Sequence, residues 1–253
     1  MELRDLYAKY PNDNEYIRSY IDYQDRYAKD ARDSDKTLVA LIGRLLAKDA
    51  PKGRQPLLLD IGCSTGNLLI HIKRAFPTLQ LTGGDLSELS IASCKSNPAL
   101  AGVDLQIMDI LCLGDVPNRY DIIVTNAILY GFTDELFVGS LKAINQALAP
   151  GGWLVSFDFM HPWEQDVALV EKSAHFPDGH PIHFRSFTGV KKSLAAAGFE
   201  APRFEPFVIG VDLPDQGPTS ISTRTVPTKD GQRMQYRGCL SQPWCHMAAR
   251  RPL

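Results

Sequence analysis

The sequence lacks the charge clusters and long apolar runs that mark nucleic-acid-binding and membrane proteins. Its 27 Lys and Arg residues nearly balance 29 Asp and Glu residues, and no run of like charge reaches five residues. Such a balance gives no basic patch for a polyanion. No stretch approaches the roughly 18 apolar residues of a membrane span, and the N-terminus has no signal-peptide pattern. We therefore expect a soluble, cytoplasmic protein that binds no membrane, and we do not expect nucleic acid as a partner.

Cysteine is scarce and has no spacing typical of a metal or disulfide site. The five cysteines, at positions 63, 94, 112, 239 and 245, form no C-x-x-C pair. Free thiols in a reducing compartment are the simplest interpretation. His175, His180 and His183 fit no standard zinc spacing, so no metal site is predicted.

From residue 57 onward the chain alternates strand and helix patterns. Apolar runs predict strands at 57–62, 79–85, 103–109, 120–126, 153–159 and 203–209. Helical patterns lie between most of them. Strict alternation predicts a doubly wound α/β fold, with a mainly parallel sheet and helices on both faces. Two irregular stretches, about 160–187 and 210–234, are predicted to be insertions.

The first 50 residues precede this alternation and predict a helical cap. Residues 14–30 and 35–48 both have helical patterns, the second with Ser34 or Asp33 as its N-cap. We therefore divide the chain into a cap over residues 1–50 and a domain over residues 51–253. Four tyrosines of the first helix, at i, i+4, i+7 and i+11, share one face; these are Tyr16, Tyr20, Tyr23 and Tyr27.

The most informative motif joins the first predicted strand to the next helix. Its sequence is Leu-Leu-Leu-Asp-Ile-Gly-Cys-Ser-Thr-Gly over residues 57–66. A strand that ends at a helix N-terminus makes a crevice with free N–H groups, where nucleotide-like ligands bind. Gly62 and Gly66 are separated by three residues, which matches neither the dinucleotide fingerprint nor the phosphate loop.

This motif resembles motif I of the class I S-adenosylmethionine (SAM) dependent methyltransferases, and we place the chain in their small-molecule branch. Asp60, Gly62 and Gly66 match, and Ser64 stands where the family has its middle glycine. The resemblance spans about residues 57–249 and implies SAM as the cofactor. It also implies a seven-stranded sheet whose last strand, at 236–249 with an interruption at Pro243, runs antiparallel between the fifth and sixth.

The resemblance implies a cofactor site at the ends of the first four strands. Asp85 would accept both ribose hydroxyls, because a carboxylate has two acceptor oxygens. Asp109, with Ile110 beside it, would bind adenine, although an aspartate there can instead cap the next turn. Asn126 would face the methionine end of the cofactor or the substrate. The predicted cofactor residues are Tyr20, Asp60, Gly62, Cys63, Ser64, Gly66, Asp85, Leu86, Asp109, Ile110 and Asn126.

The acceptor side is predicted from the tyrosine helix and from the stretch after the fifth strand. In the family an N-terminal helix often covers the active site, and tyrosine rings can exclude water and attract a sulfonium. The alternative is that these rings are core. His161 is the candidate general base, because imidazole titrates near neutral pH, or else a loop histidine with no catalytic role. The predicted substrate contacts are Tyr16, Tyr23, Tyr27, Tyr130, Trp163 and Arg185.

These patterns favour methyl transfer from SAM to oxygen, nitrogen or sulfur of a small metabolite. The absence of prolines at positions 127 and 128 counts against methylation of adenine N6 or glutamine. An RNA or protein methyltransferase and a carboxy-SAM synthase-like enzyme stay open as alternatives. A nicotinamide oxidoreductase comes last, because the glycine spacing disfavours it.

Overall fold

The computed structural model describes residues 13, 15, 17, 18, 21, 24, 29–171, 179–210, 212, 223–227, 231–237 and 240–253. Five helices are bounded there: α1 (Asp33–Asp49), α2 (Asn67–Ala75), α3 (Glu88–Ser96), α4 (Asp134–Ala147) and α5 (Phe187–Ala196). Short 3-10 helices cover Pro98–Leu100, Ile110–Asp115 and Leu129–Gly131. The described residues 15, 17, 18, 21 and 24 are also helical.

Twelve strands are bounded in the same residues. The first six are β1 (Leu57–Ile61), β2 (Gln80–Asp85), β3 (Asp104–Ile107), β4 (Tyr120–Asn126), β5 (Leu148–His161) and β6 (Val167–Glu171). The others are β7 (His180–Ser186), β8 (Arg203–Pro206), β9 (Thr223–Pro227), β10 (Arg233–Arg237), β11 (Leu240–Ser241) and β12 (Trp244–Arg250).

The main sheet has the order β3-β2-β1-β4-β5-β12-β8. Strands β3, β2, β1, β4 and β5 are parallel, and β12 runs antiparallel between β5 and β8. The predicted doubly wound fold with an antiparallel last strand is therefore confirmed. Reversal of the strand order between β1 and β4 opens a crevice at the carboxyl edge of the sheet, which is where such folds bind ligands.

The core lies on both faces of the sheet, because alternate strand residues point to opposite sides. Leu58 packs with Leu38 of α1 and Leu69 of α2 on one face. Leu59 packs with Leu141 of α4 and Val190 of α5 on the other. Helix α1 is thus part of the same core as the sheet, and its first turn is held at the carboxyl edge.

The structure differs from the sequence prediction in the stretch after the fifth strand. Its described residues, 160–171 and 179–187, include two strands: β6 and β7 pair antiparallel, and β7 pairs with the end of β5 to extend the sheet to nine strands. The strands escaped prediction because His, Pro and aromatic residues hide their alternation. Strand β5 is also longer than predicted and begins at Leu148, passing through Pro150, Gly151 and Gly152 at a register shift.

Two further boundaries differ. The strand predicted over 236–249 falls into separate parts at Pro243: β10 pairs with both β9 and β11 in a separate three-stranded sheet, and β12 begins at Trp244. Helix α1 begins at Asp33, before the predicted start at residue 35. Its N-cap is therefore Arg32, whose backbone is extended, and not Ser34 or Asp33. The Asp33 carboxylate instead forms an ion pair with Lys36, at 2.8 Å.

Candidate active site

The turn between β1 and α2 is anchored to the end of β2. The backbone N–H groups of Gly62 and Cys63 donate to the carbonyl oxygen of Gly84, at 2.7 and 3.0 Å. The φ angles of Gly62, Ser64 and Gly66 are +76°, +50° and +76°. Only glycine adopts that region without strain, so Ser64 adds a cost of about 1–3 kcal/mol that the surrounding bonds must offset.

Packing also requires the two glycines of this turn. A Cβ atom on Gly62 would lie 2.8 Å from Cγ2 of Ile128, and one on Gly66 would lie 2.5 Å from Cδ1 of Leu100. Both distances are shorter than carbon atoms tolerate. The backbone of the turn is therefore packed closely from behind.

Asp85 joins this turn to the start of α3. Its Oδ2 accepts from the backbone N–H of Ser64 at 2.8 Å, and its Oδ1 accepts from that of Ser87 at 2.8 Å. Burial raises the pKa of the Asp85 carboxyl, while these two bonds lower it. Each carboxylate oxygen has a second lone pair, so Asp85 keeps the capacity to accept from a ligand.

Asp60 is the most deeply buried acid of the site, at 1% exposure. It lies in β1 between Gly83 of β2 and Val124 of β4. Burial raises the pKa of Asp60 to about 8, with smaller contributions from the charges of Asp35 and Asp85. Within the described residues its Oδ1 has no hydrogen-bond partner. A buried oxygen of this kind fits a ligand that brings a donor or a positive charge.

Asp109 and its neighbours lie at the next strand end. Oδ1 of Asp109 accepts from the backbone N–H of Leu111 at 2.9 Å and caps the 3-10 helix that begins at Ile110. The turn-capping role is therefore present, and the adenine contact stays a proposal. Ile110 is buried and Leu86 is half-buried. Cys63 is buried, and contact with the thiol of Cys94, together with burial, raises its pKa.

Asn126, at the end of β4, contacts a residue that the sequence analysis did not select. Its Nδ2 donates to Oδ1 of Asp35 at 3.3 Å. Asp35 lies in the first turn of α1 and is 3% exposed. Helix α1 thus places a buried carboxylate at the carboxyl edge of the sheet.

His246 of β12 faces the same first turn of α1. Its Nε2 lies 3.0 Å from the carbonyl oxygen of Ser34, and its ring lies 4.5 Å from that of Phe157. Burial lowers the pKa of His246, so the ring is neutral near pH 7. Because a carbonyl only accepts, Nε2 carries the proton and Nδ1 is an acceptor.

The structure describes few of the predicted cap residues. Tyr16, Tyr20, Tyr23 and Tyr27 lie outside the described residues. Gln24 of the same segment is buried, and its backbone oxygen accepts from Nδ2 of Asn67, the first residue of α2, at 2.6 Å. The segment before α1 therefore contacts the helix that follows the glycine turn.

Tyr130 belongs to an aromatic cluster where β4 and β5 end and β12 begins. The aromatic cluster consists of Tyr130, Phe157, Phe159, Phe184, Phe207 and Trp244. Its closest contacts are Phe159 with Trp244, at 4.1 Å between centroids, and Phe157 stacked on Trp244 at 4.7 Å. Tyr130 contacts Phe159 and Trp244 at 5.1 and 6.2 Å. The cluster lies beside Asn126, because Asn126 pairs with Phe157 in the sheet.

His161 lies at the end of β5, where β7 pairs with it. The side chain is buried, its Nε2 lies 3.3 Å from the carbonyl oxygen of Phe184, and its ring lies 4.7 Å from that of Trp163. The Nδ1 atom has no hydrogen-bond partner in the part of the chain that the structure describes. Trp163 is 54% exposed.

Arg185 is buried, and most of its donors are used inside the protein. It donates to the carbonyl oxygens of Leu129 and Phe132 and to Asp134 at 3.3 Å. The guanidinium also lies 4.1 Å from the ring centroid of Phe137. Arg185 thus ties β7 to the segment after β4, and this use of its charge weighs against a direct contact with substrate.

Asp158 contacts the same segment after β4, and no role for it was predicted from the sequence. It accepts from the backbone N–H groups of Leu129 and Phe159 at 2.8 and 2.9 Å, and burial raises its pKa to about 6. A polar residue within an otherwise apolar strand was the available signal for Asp158 and His246. Asp35 gave no signal, because an acid in the first turn of a helix is ordinary.

Comparisons with known proteins agree with this arrangement. Residues 58–152 match the family model described as a methyltransferase domain. The ubiquinone/menaquinone biosynthesis C-methyltransferase UbiE of Desulfotalea psychrophila is 24% identical over 172 residues, 60% of this chain and 69% of that protein. The ribosomal RNA small subunit methyltransferase C of Pasteurella multocida is 28% identical over 100 residues, 38% of this chain and 30% of that protein.

A solved structure shows the same fold over almost the whole chain. The Burkholderia thailandensis 1,6-didemethyltoxoflavin-N1-methyltransferase, with bound 1,6-didemethyltoxoflavin and S-adenosylhomocysteine (SAH), matches with a TM-score of 0.57 and 17% identity. The match covers 94% of this chain and 86% of that one. Fold and site thus define a Rossmann-like methyltransferase domain. Residues 58–152 are thus a methyltransferase domain of a SAM-dependent enzyme, with SAM as the cofactor.

Two other kinds of site are absent from the described residues. No described helix is long and apolar enough to cross a bilayer. Across the same residues, no group of three or more His, Cys, Asp and Glu side chains is placed to hold a metal ion.

We predict that Gly66→Ala lowers the free energy of unfolding by about 2–4 kcal/mol, through backbone strain and the clash with Leu100. Gly102→Ala is the matched control, because Gly102 has a φ of +84° but nothing within 4 Å of its Cβ position. It should lose only the strain contribution of about 1 kcal/mol. Urea unfolding followed by circular dichroism measures both, and equal losses would contradict the packing argument.

We predict that Asp60 makes the cofactor-free protein less stable as the pH rises. Its folded pKa, about 8, lies above the usual aspartate pKa of 3.8. Its protonated form therefore stabilises the fold fully below about pH 4, and that contribution is lost as the pH rises to about 8. Asparagine does not ionise, so Asp60→Asn should not show this loss. The free energy of unfolding of the variant, relative to that of the wild type, should therefore rise between pH 5 and pH 8. Urea unfolding of both proteins at each pH checks this, and parallel curves would contradict it.

Proposed function

We propose that the protein transfers the methyl group of SAM to oxygen, nitrogen or sulfur of a small metabolite. The observation that carries this proposal is the aromatic cluster, whose Phe157 pairs with Asn126 at the carboxyl end of β4. Flat apolar rings suit a compact organic acceptor, and they exclude water from the reaction. The near balance of charge gives no electrostatic argument for RNA as the substrate.

The proposed cofactor contacts follow the strand ends. Asp85 accepts the ribose hydroxyls, while its bonds to Ser64 and Ser87 hold the carboxylate in place. Asp109 and Ile110 contact adenine. Asp60 fits the amino group of the methionine part, because its unpartnered Oδ1 is a buried acceptor. The remaining proposed contacts are Tyr20, Gly62, Cys63, Ser64, Gly66, Leu86 and Asn126.

SAM supplies an activated methyl group, so the residues of this chain need to align, desolvate and, for a hydroxyl acceptor, deprotonate. Holding the acceptor atom in line with the methyl group lowers the barrier by several kcal/mol. We assign the role of general base to His161. Its Nε2 faces the Phe184 carbonyl, so its Nδ1 is the basic atom and is unpartnered in the described part of the chain.

The proposed acceptor contacts differ in their support. Tyr130 is part of the aromatic cluster, and Trp163 contacts His161. Tyr16, Tyr23 and Tyr27 stay proposals from their spacing alone. Arg185 is the weakest member of the set, because its charge is already used by Leu129, Phe132 and Asp134.

The names of two relatives give reasons to test carbon and RNA acceptors as well. The UbiE relative is named as a C-methyltransferase, which adds carbon to the candidate acceptor atoms. The Pasteurella relative is named as a ribosomal RNA methyltransferase, which keeps RNA as a second candidate. That relative matches over only 30% of its own length, so its substrate is a weak guide to the substrate of this chain.

We predict that SAM with a tritiated methyl group labels a metabolite fraction and leaves total RNA and protein fractions unlabelled. The assay incubates the enzyme with each fraction and counts tritium after separation by size. Labelling of the RNA fraction alone would overturn the proposal in favour of the RNA alternative. Calorimetry should also show binding of SAM and SAH, and no binding of NADH.

We predict that Asp85→Ala weakens SAH binding by about 1–3 kcal/mol. Because Asp85 also holds the turn, the ribose contact needs its own test with the 2′-deoxyribose analogue of SAH. The wild type should bind this analogue more weakly than SAH, whereas Asp85→Ala should bind the two alike. Glu88→Ala, an exposed residue at the start of α3, is the control. The same preference in wild type and variant would contradict the ribose contact.

A further inference from the structure

Asp35 is a buried carboxylate that lacks a positive partner in the described residues. It is 3% exposed, and the donor recorded to it is the neutral amide of Asn126, at 3.3 Å. Asp33, two residues earlier in the same turn of α1, has its charge balanced: it pairs with Lys36 at 2.8 Å, and its side chain is 63% exposed. Burying a carboxylate without a cation is costly unless a ligand brings the charge.

A second, independent feature of this place is the unpartnered oxygen of Asp60. Asp60 is 1% exposed and lies on β1, next to β4, which ends at Asn126. Its Oδ1 finds no donor among the described residues. Asp35 lies on α1 and Asp60 on β1, and both neighbour β4, Asp60 through Val124 and Asp35 through Asn126. The charge of Asp35 adds to the raised pKa of Asp60, which fits this placement.

The cofactor and its product differ in charge at one atom. The sulfur of SAM is a sulfonium with a full positive charge, whereas the sulfur of SAH is a neutral thioether. In the transfer, the sulfur–methyl bond breaks and its electron pair stays on sulfur, while a lone pair of the acceptor forms the new bond. A carboxylate near this sulfur therefore attracts the cofactor and loses that attraction once the product has formed.

We propose that Asp35, placed by α1 against Asn126 and near the buried carboxyl of Asp60, makes the cofactor site prefer the charged sulfur of SAM over the neutral sulfur of SAH. This inference rests on the proposed placement of the methionine end beside Asn126. It assigns a specificity-determining role to α1, which lies before residues 58–152, the part that matches the methyltransferase-domain model. Release of SAH is then favoured, because methyl transfer removes the positive charge that Asp35 attracts.

The test measures SAM and SAH affinities by calorimetry for wild type, Asp35→Asn and Asp33→Asn. Asp35→Asn keeps an oxygen for the Asn126 amide and removes the charge. Asp33→Asn removes the same charge from the exposed neighbour in the same turn. Asp35→Asn should weaken SAM about tenfold and SAH less than about threefold, a charge effect at a partly desolvated site. Asp33→Asn should change neither. An analogue with an ammonium-bearing carbon in place of the sulfonium should follow SAM.

The outcomes separate this inference from the proposed function. Equal weakening of SAM and SAH by Asp35→Asn would overturn it, because Asp35 would then act only through the position of α1. Failure of wild type to bind either ligand would overturn the proposed cofactor placement as well. If Asp35→Asn does not fold, Asp35→Ser repeats the test, since serine is accepted in the first turn of a helix. Loss of folding in both variants would assign Asp35 a structural role and likewise reject the inference.

Discussion

The site depends on how the end of β2 holds the turn after β1. The Gly84 carbonyl accepts from Gly62 and Cys63, and the Asp85 carboxylate accepts from Ser64 and Ser87. These bonds offset the strain that the left-handed backbone of Ser64 adds to the turn. They also fix Asp85 itself, so the same contacts that shape the turn orient the carboxylate proposed to bind the cofactor.

The fold was predictable because its signals are local and repeated. Apolar strands of about six residues alternate with helices from residue 57, and buried parallel strands read as continuous apolar runs. The β6–β7 hairpin was not predictable in the same way. It pairs with β5 at only Met160–Arg185 and His161–Ser186, and His and Pro residues obscure the alternation within it. Pro243 interrupts the last predicted strand, because proline cannot donate to the ladder. The separate sheet of β9, β10 and β11 before it was not predicted.

The site was predictable where a motif places it on a strand end, and less so elsewhere. Asp60, Asp85, Asp109 and Asn126 follow from the order of strands. Asp35 and His246 come from the two ends of the chain and meet the site only through tertiary packing. Nothing near them in the sequence records that Ser34 faces His246 or that Asp35 faces Asn126. Arg185 shows the converse, since a charged residue in a promising segment is bound within the fold.

The raised pKa of Asp60 has a consequence for how the enzyme is loaded with its cofactor. With a pKa of about 8, the carboxyl is mostly protonated at neutral pH in the cofactor-free protein. A cationic group placed against it would favour the ionised form, so binding would expel a proton into the solvent. The site would then exchange one positive charge for another. The heat of binding would depend on the ionisation enthalpy of the buffer, and the fraction of loaded enzyme would follow the pH of its surroundings.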